Sequence, residues 1–462
     1  MLKNKAKFTS TEIKAIFGEN NVQNLINDEF IGVSIDTRSL DKGEIFIPLI
    51  GEKIDAHNHL PEAYQKGASL AFVSHRWYKN NSAKIEGKPF VLVDDTLVAL
   101  GELASFHRHK FDIPILAIAG SNGKTTTKDM IAAVLSRKYK VLKTYQNFNN
   151  RIGVPLMIFN IDESIDFAVI EIGTNEPGEI FILSEILAPT GGVITNIGQE
   201  HLEKLIDLDG VEMEETSLFA YLSRHNGICF INGDDDRLLK YAKIIDKKFI
   251  YSTKDDYANL QVELEINDRI NPILKLNIDG NEHKIKLNAY GIAAGYNAVA
   301  AVAVGLHFGL DIKQIREALE NYSQEKYSGY ARMMLQEIEG YTILNDCYNA
   351  NPSSMKMSLE TLSKYLSKPI KVAVLGDMRE LGESSLALHI EILRFAEKLC
   401  DKVFTIGEQM QKATEFIKST KILNFSDFQM IADEMKNHKI DAAFLIKGSR
   451  GMKMEQLFEL LK

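Results

Sequence analysis

"AIAGSNGKTTTKDM", residues 117–130, runs from an apolar stretch through two glycines into a lysine and three threonines. A continuous apolar run that breaks into a Gly-Lys-Thr triplet predicts a buried strand, a tight turn and a helix start. Gly120, Ser121, Asn122 and Gly123 make the turn, and Lys124, Thr125 and Thr126 open the helix. That order suits an oxyanion. Glycines let backbone N–H groups face a phosphate, the helix N-terminus adds partial positive charge, Lys124 brings a mobile cation, and Thr125 offers a hydroxyl to magnesium. The plain alternative is an ordinary glycine turn in a strand-to-helix unit. The usual loop also has an earlier glycine, separated from the triplet by four residues, and Ile118 stands in its place.

Outward from the loop, residues 109–325 alternate apolar strands ("IPILAIAG", "DFAVIEIG", "GGVITNIG") with amphipathic helices such as "KTTTKDMIAAVLSRKY". Strands that read as unbroken apolar runs between helices imply a parallel sheet covered on both faces. Residues 326–462 repeat the theme with "YTILNDCY", "IKVAVLGDM", "KVFTIG" and "AAFLIKGSRG". Residues 1–108 mix shorter strands with helices, and Pro114 follows the last helix as a boundary signal. The expected fold class is α/β with three domains: a smaller N-terminal α/β domain, a central phosphate-loop parallel sheet with helices on both faces, and a C-terminal Rossmann-like domain.

The chain has 462 residues, enough for two or three cores, and 45% hydrophobic against 25% charged residues with 10 prolines describes an ordered protein. A net charge of -9 offers no broad cationic surface to a nucleic acid, so any phosphate is held locally. Cys229, Cys347 and Cys400 lie far apart, which suits a reducing compartment and argues against a thiolate zinc site. The polar opening "MLKNKAKFTSTEI" lacks a signal-peptide core, and no apolar run reaches membrane-spanning length. A cytoplasmic protein without a membrane span is expected.

In such sheets ligands gather beyond the carboxyl ends of strands. Glu171 breaks its own apolar strand there, and an unpaired buried carboxylate costs several kcal/mol, so magnesium coordination is its best explanation. His201 follows the next strand end in "VITNIGQEHLE". Near the N-terminus, His57 and His59 could pass for a metal pair, but no cysteine or carboxylate motif accompanies them and a solvated loop is expected.

The shortened G-x-x-G-K-T loop resembles that of the Mur ligase superfamily, ATP-dependent amide ligases. "LNDCYNANPSSM" (344–355), "VLGDMRELGESSLALH" (374–389) and "IKGSRGMKME" (446–455) are similar to the branch that adds D-alanyl-D-alanine to a UDP-N-acetylmuramoyl-tripeptide, and "EIGTNEPGEI" (171–180) points the same way. The resemblance implies ATP and magnesium as cofactors and a reaction through an acyl phosphate. It implies catalytic or metal roles for Lys124, Thr125, Glu171 and His201, nucleotide contacts from residues 120–126 and Arg332, and substrate contacts from Asn147, Asn150 and Asn175. Asp346, Tyr348, Asn349 and Asn351 would serve the acceptor, and Ser34, Asp36, Thr37 and Arg38 the uridine diphosphate. Small-molecule substrates, no nucleic acid and a monomer are expected.

Two departures stand out. The family's carbamylated lysine, a second metal ligand, aligns with Glu215, whose carboxylate sits about three bonds nearer the backbone, roughly 3 to 4 Å of lost reach. The aromatic and asparagine that touch adenine align with Ala293 and Ala294; a stacked base is worth about 1 to 3 kcal/mol. Smaller changes are Glu200, where a small residue is usual, and Ala331, where glycine is. A catalytically impaired binding relative and a ligase with another acceptor therefore stay open.

Overall fold

The computed structural model describes residues 3–254, 256–323 and 332–462; the 325/326 boundary and Ala331 lie outside these residues. It divides into two compact units, one of Met1–Ala117, Tyr139–Gly173 and Glu179–Gly191, the other of Ile118–Lys138, Thr174–Gly178 and Gly192–Lys462. Both are mixed α/β.

In the first unit a five-stranded sheet takes the order Val22–Gln23, Phe90–Val93, Leu70–Ser74, Ile45–Phe46, Val33–Ser34. Its last four strands are parallel and Val22–Gln23 is antiparallel. Leu70–Ser74 is buried at every position, as a central parallel strand covered on both faces must be. Helix Thr96–Arg108 starts where the Asp95 carboxylate accepts the N–H groups of Leu97 and Val98, which satisfies two of the four orphan donors of its first turn. Strands Val141–Lys143 and Phe167–Glu171 pair in parallel in the same unit.

His57 corrects the expectation of a solvated loop. It is fully buried on the short helix Ala56–His59, with Nδ1 2.7 Å from Asp55 Oδ1 and Nε2 accepting the Ser74 N–H at 3.1 Å. Its ring also stacks on Trp77. A satisfied core histidine, not a metal ligand, is what these partners make; His59 is exposed.

In the second unit, Ile228–Asn232 and Lys248–Ser252 are parallel, and Leu260–Ile266 continues them. The sheet then turns antiparallel through Pro272–Ile278 and Asn281–Lys286, so the all-parallel expectation holds only for part of it. These three strands alternate apolar and polar residues, with Leu274, Leu276 and Ile285 inward, as one-face-wet hairpins do.

The second sheet of this unit orders Met334–Ile338, Tyr341–Asp346, Ala442–Lys447, Ile370–Gly376, Lys402–Ile406 and Ile422–Phe425. All neighbours are parallel except the first pair. Successive residues feed opposite cores: Leu344, Leu375 and Leu445 on one face, Ile343, Val374 and Ile446 on the other. Truncating any of these leucines to alanine removes a filled volume worth about 2 to 5 kcal/mol. That rigidity fixes the loops at the carboxyl edge. Among the described residues no helix is long and apolar enough to cross a membrane, and all three cysteines are buried and free.

Candidate functional site

The phosphate-type loop lies in the second unit. Strand Ile115–Ala119 ends at Gly120 (φ +108°), and helix Lys124–Leu135 begins after Gly123 (φ +84°). Only glycine suits either place. A Cβ on Gly120 would stand 2.4 Å from Thr195 Oγ1, and one on Gly123 2.5 Å from Asn297 Oδ1. The loop is tied to the segment after strand Gly191–Ile194: Ser121 Oγ donates to the Gly198 carbonyl at 3.0 Å and accepts its N–H at 2.8 Å, while Asn196 Oδ1 accepts the Asn122 N–H at 3.2 Å. Thr125 and Thr126 are buried in the first helical turn.

Charge is arranged tightly around this loop. The Lys124 ammonium donates to the Gly120 carbonyl and lies 3.7 Å from Glu200 Oε2. Glu215, wholly buried on helix Leu208–Arg224, accepts the Gly120 N–H at 2.7 Å. Burial, reinforced by the charge of Glu200 and opposed by that of Lys124, raises its carboxyl to about 8. Glu200 Oε1 and Glu215 Oε1 are buried without a hydrogen-bond partner among the described residues. The shorter side chain at 215 therefore reaches the loop's own backbone.

His201 sits in left-handed backbone (φ +50°), and its Nδ1 is 2.8 Å from Glu380 Oε2, while Nε2 is 3.9 Å from Glu200. Glu380 is itself left-handed (φ +64°), and the His201 hydrogen bond holds its carboxyl below the usual range. Two strained non-glycine residues facing each other are the kind of local cost found at functional sites. The acceptor-type residues belong to the same unit. Asn351 caps helix Pro352–Ser363 through Oδ1 and donates from Nδ2 to Asn122 Oδ1 at 2.9 Å. Asp346 accepts from Lys447 at 2.6 Å and Ser358 at 2.7 Å, and Lys447 also donates to the Asn349 carbonyl at 2.9 Å. The Arg332 guanidinium lies 3.9 Å over the Tyr348 ring. Asn349 and Asn175 are exposed.

Beside the loop is a cavity of about 350 Å³ whose walls include Asn122, Gly123, Tyr251, Ala293, Tyr296 and Asn297. Ala294 is not among its lining residues and is buried.

The first unit holds the remaining residues. Glu171 ends strand Phe167–Glu171, buried, its Oε1 accepting from Asn149 Nδ2 at 2.9 Å and its N–H donating to Thr144 Oγ1 at 2.8 Å. Asn149 was the missed residue; it lies between Asn147, which is exposed, and Asn150, whose Oδ1 accepts the Gly153 N–H at 2.8 Å. The run "NFNN" signalled the segment but not which amide turns inward. Asp36 and Arg38 form a two-pronged pair, with Nη2 to Oδ2 at 2.6 Å and Nε to Oδ1 at 2.9 Å, and this pairing holds the Asp36 carboxyl below its usual range. Ser34 and Thr37 are buried beside it, Ser34 Oγ donating to the Asp36 carbonyl at 3.1 Å.

The family model described as Mur ligase middle domain matches residues 118–305, and that described as Mur ligase, glutamate ligase domain matches 331–460. The UDP-N-acetylmuramoyl-tripeptide–D-alanyl-D-alanine ligase of Bacillus subtilis is 32% identical, covering 92% of each chain, and that of Haemophilus influenzae is 33% identical, covering 95% of each. The crystal structure of MurF from Acinetobacter baumannii superposes with a TM-score of 0.88 at 27% identity over 99% of both chains. MurF of Thermotoga maritima in complex with ADP gives 0.82 at 26% identity, over 93% of this chain and 96% of that one. The chain therefore belongs to the Mur ligase family, in the branch of the UDP-N-acetylmuramoyl-tripeptide–D-alanyl-D-alanine ligases.

Proposed function

We propose that this chain is an ATP-dependent ligase that joins D-alanyl-D-alanine to UDP-N-acetylmuramoyl-tripeptide during peptidoglycan precursor synthesis. The observation that carries the reading is full-length likeness to ligases of that name, with the loop Gly120–Thr125 folded as a strand-to-helix cradle. The terminal carboxylate of the tripeptide takes the γ-phosphoryl group of ATP, giving an acyl phosphate and ADP. The amine of D-alanyl-D-alanine then forms the amide bond and releases phosphate and a proton. Such transfers depend on positioning and charge neutralisation more than on covalent help from the protein.

We assign residues 1–108 to UDP-sugar binding, 109–325 to ATP and 326–462 to the acceptor. Ser34, Asp36, Thr37 and Arg38 would hold the uridine diphosphate; the Asp36 pairing presents the Arg38 guanidinium to the outside. Backbone N–H groups of residues 120–126 would cradle the phosphates, with Lys124 exchanging the Gly120 carbonyl for a phosphate oxygen and Arg332 adding a second cation. Asn147, Asn150 and Asn175 would border the reacting carboxylate, and Asp346, Tyr348, Asn349 and Asn351 the acceptor.

By the resemblance, Thr125 and Glu171 would supply magnesium with oxygen and His201 with a ring nitrogen; among the described residues no three His, Cys, Asp or Glu side chains are grouped to hold a metal ion. Magnesium keeps several waters and leans on substrate phosphates, so a sparse protein set is what it requires. When bound, it neutralises triphosphate charge. Glu215 keeps a carboxyl group under the loop where it fixes the Gly120 N–H. A monomer in the cytoplasm, where ATP and UDP-linked precursors are available, completes the reading.

A second reading, a relative that binds the UDP-peptide without turning it over, is favoured by Glu215 and by Ala293 and Ala294. One assay separates them. Incubation with ATP, magnesium, UDP-N-acetylmuramoyl-tripeptide and D-alanyl-D-alanine is expected to release phosphate and one product of the summed mass less water. Retained UDP-peptide binding with no turnover sinks the ligase reading; turnover only with another amine reassigns the acceptor.

A further inference from the structure

We infer that Tyr296 is the platform on which this chain stacks the purine of its nucleotide, supplying from the middle of a helix the aromatic contact that positions 293 and 294 lack. The inference rests on the proposed ATP-dependent reading.

Helix Ile292–His307 turns one face to the cavity beside the phosphate-type loop: Ala293, Tyr296, Asn297 and Ala300 recur at three- and four-residue spacing and all line it. On that face the tyrosine is flanked by two small residues, Ala293 and Ala300. The ring is half-buried, and its polar end lies near the Thr253 hydroxyl. Thr253 is itself fixed, its N–H and hydroxyl donating to Asp234 at 3.0 and 2.7 Å. A half-buried tyrosine that lines a cavity between small neighbours offers its ring to a flat partner. Distance supports a nucleotide. The Asn297 side chain, one residue along, packs directly on Gly123, so the tyrosine face and the phosphate loop border one space. At about 350 Å³ that space falls within the range of small-molecule sites.

Calorimetric titration of the full chain with magnesium ATP and, separately, with magnesium tripolyphosphate tests this. Tyr296→Ala is expected to weaken ATP about tenfold to a hundredfold, the worth of one stacked base, while tripolyphosphate binding stays within about twofold. Tyr296→Phe, which keeps the ring and loses only the hydroxyl, is expected to retain ATP within about fivefold. ATP affinity unchanged in Tyr296→Ala overturns the inference, as does an equal loss of tripolyphosphate. A wild-type chain that binds tripolyphosphate but gains nothing from the base overturns it too, whereas one that binds neither overturns the ATP-dependent reading itself.

Discussion

Gly120, Ser121 and Asn122, at the phosphate end, are each hydrogen-bonded to another segment, while the wall made by helix Ile292–His307 presents Tyr296 between two alanines. The difference follows from what each end must grip. A triphosphate offers charge at fixed spacing, and N–H groups and a cation meet it only if the backbone is immobile. A purine offers a face, and any aromatic set at the right depth will serve. The phosphate end is thus constrained residue by residue, and the base end only in outline.

The largest effect should come from Lys124→Met. Loss of the loop cation is expected to cut phosphate release roughly a thousandfold at saturating substrates, and a loss below tenfold would shift the burden to Arg332. Gly123→Ala breaks the tight end differently. A positive φ and an Asn297 oxygen 2.5 Å from the new Cβ predict a stability loss of about 1 to 3 kcal/mol in urea unfolding.

Glu215 sharpens the comparison through pH. The folded chain holds this carboxyl at about 8 against an ordinary 4.5, so it keeps a proton that the unfolded chain gives up. Its contribution to stability is whole below about pH 4.5 and is lost as pH rises through 8. Glu215→Gln should therefore flatten the fall in Tm between pH 5 and 8.5; an unchanged profile would mean that Lys124 already holds the group ionised. The smallest effect is expected at the loose end. Ala293→Tyr with Ala294→Asn should improve the KM for ATP by no more than about threefold, because the stacking contact is already supplied, and a gain of a hundredfold would deny that role to Tyr296.

Strand ends carrying Glu171 and Asp346 were legible in the sequence because an apolar run that stops at a charged or amide residue leaves few alternatives. The two-sided cores followed from the same runs. Other features depended on contacts far along the chain. Asn149 turns inward to meet Glu171, and His57 is buried because Asp55 and Ser74 satisfy both ring nitrogens. Tyr296 was visible as a residue, yet which way a helix turns is set by what packs on it. Of Ala293 and Ala294, which align with the base-contact positions, only Ala293 lines the cavity.

The hydrogen bond from Asn351 to Asn122 joins the cap of an acceptor-side helix to the loop that would carry the phosphates. Whatever strengthens that amide pair when one small molecule is bound must strengthen the hold on the other by the same factor, since such linkage is reciprocal. A tight mimic of the dipeptide would then raise the affinity for ADP, and ADP would raise the affinity for the mimic by the same factor.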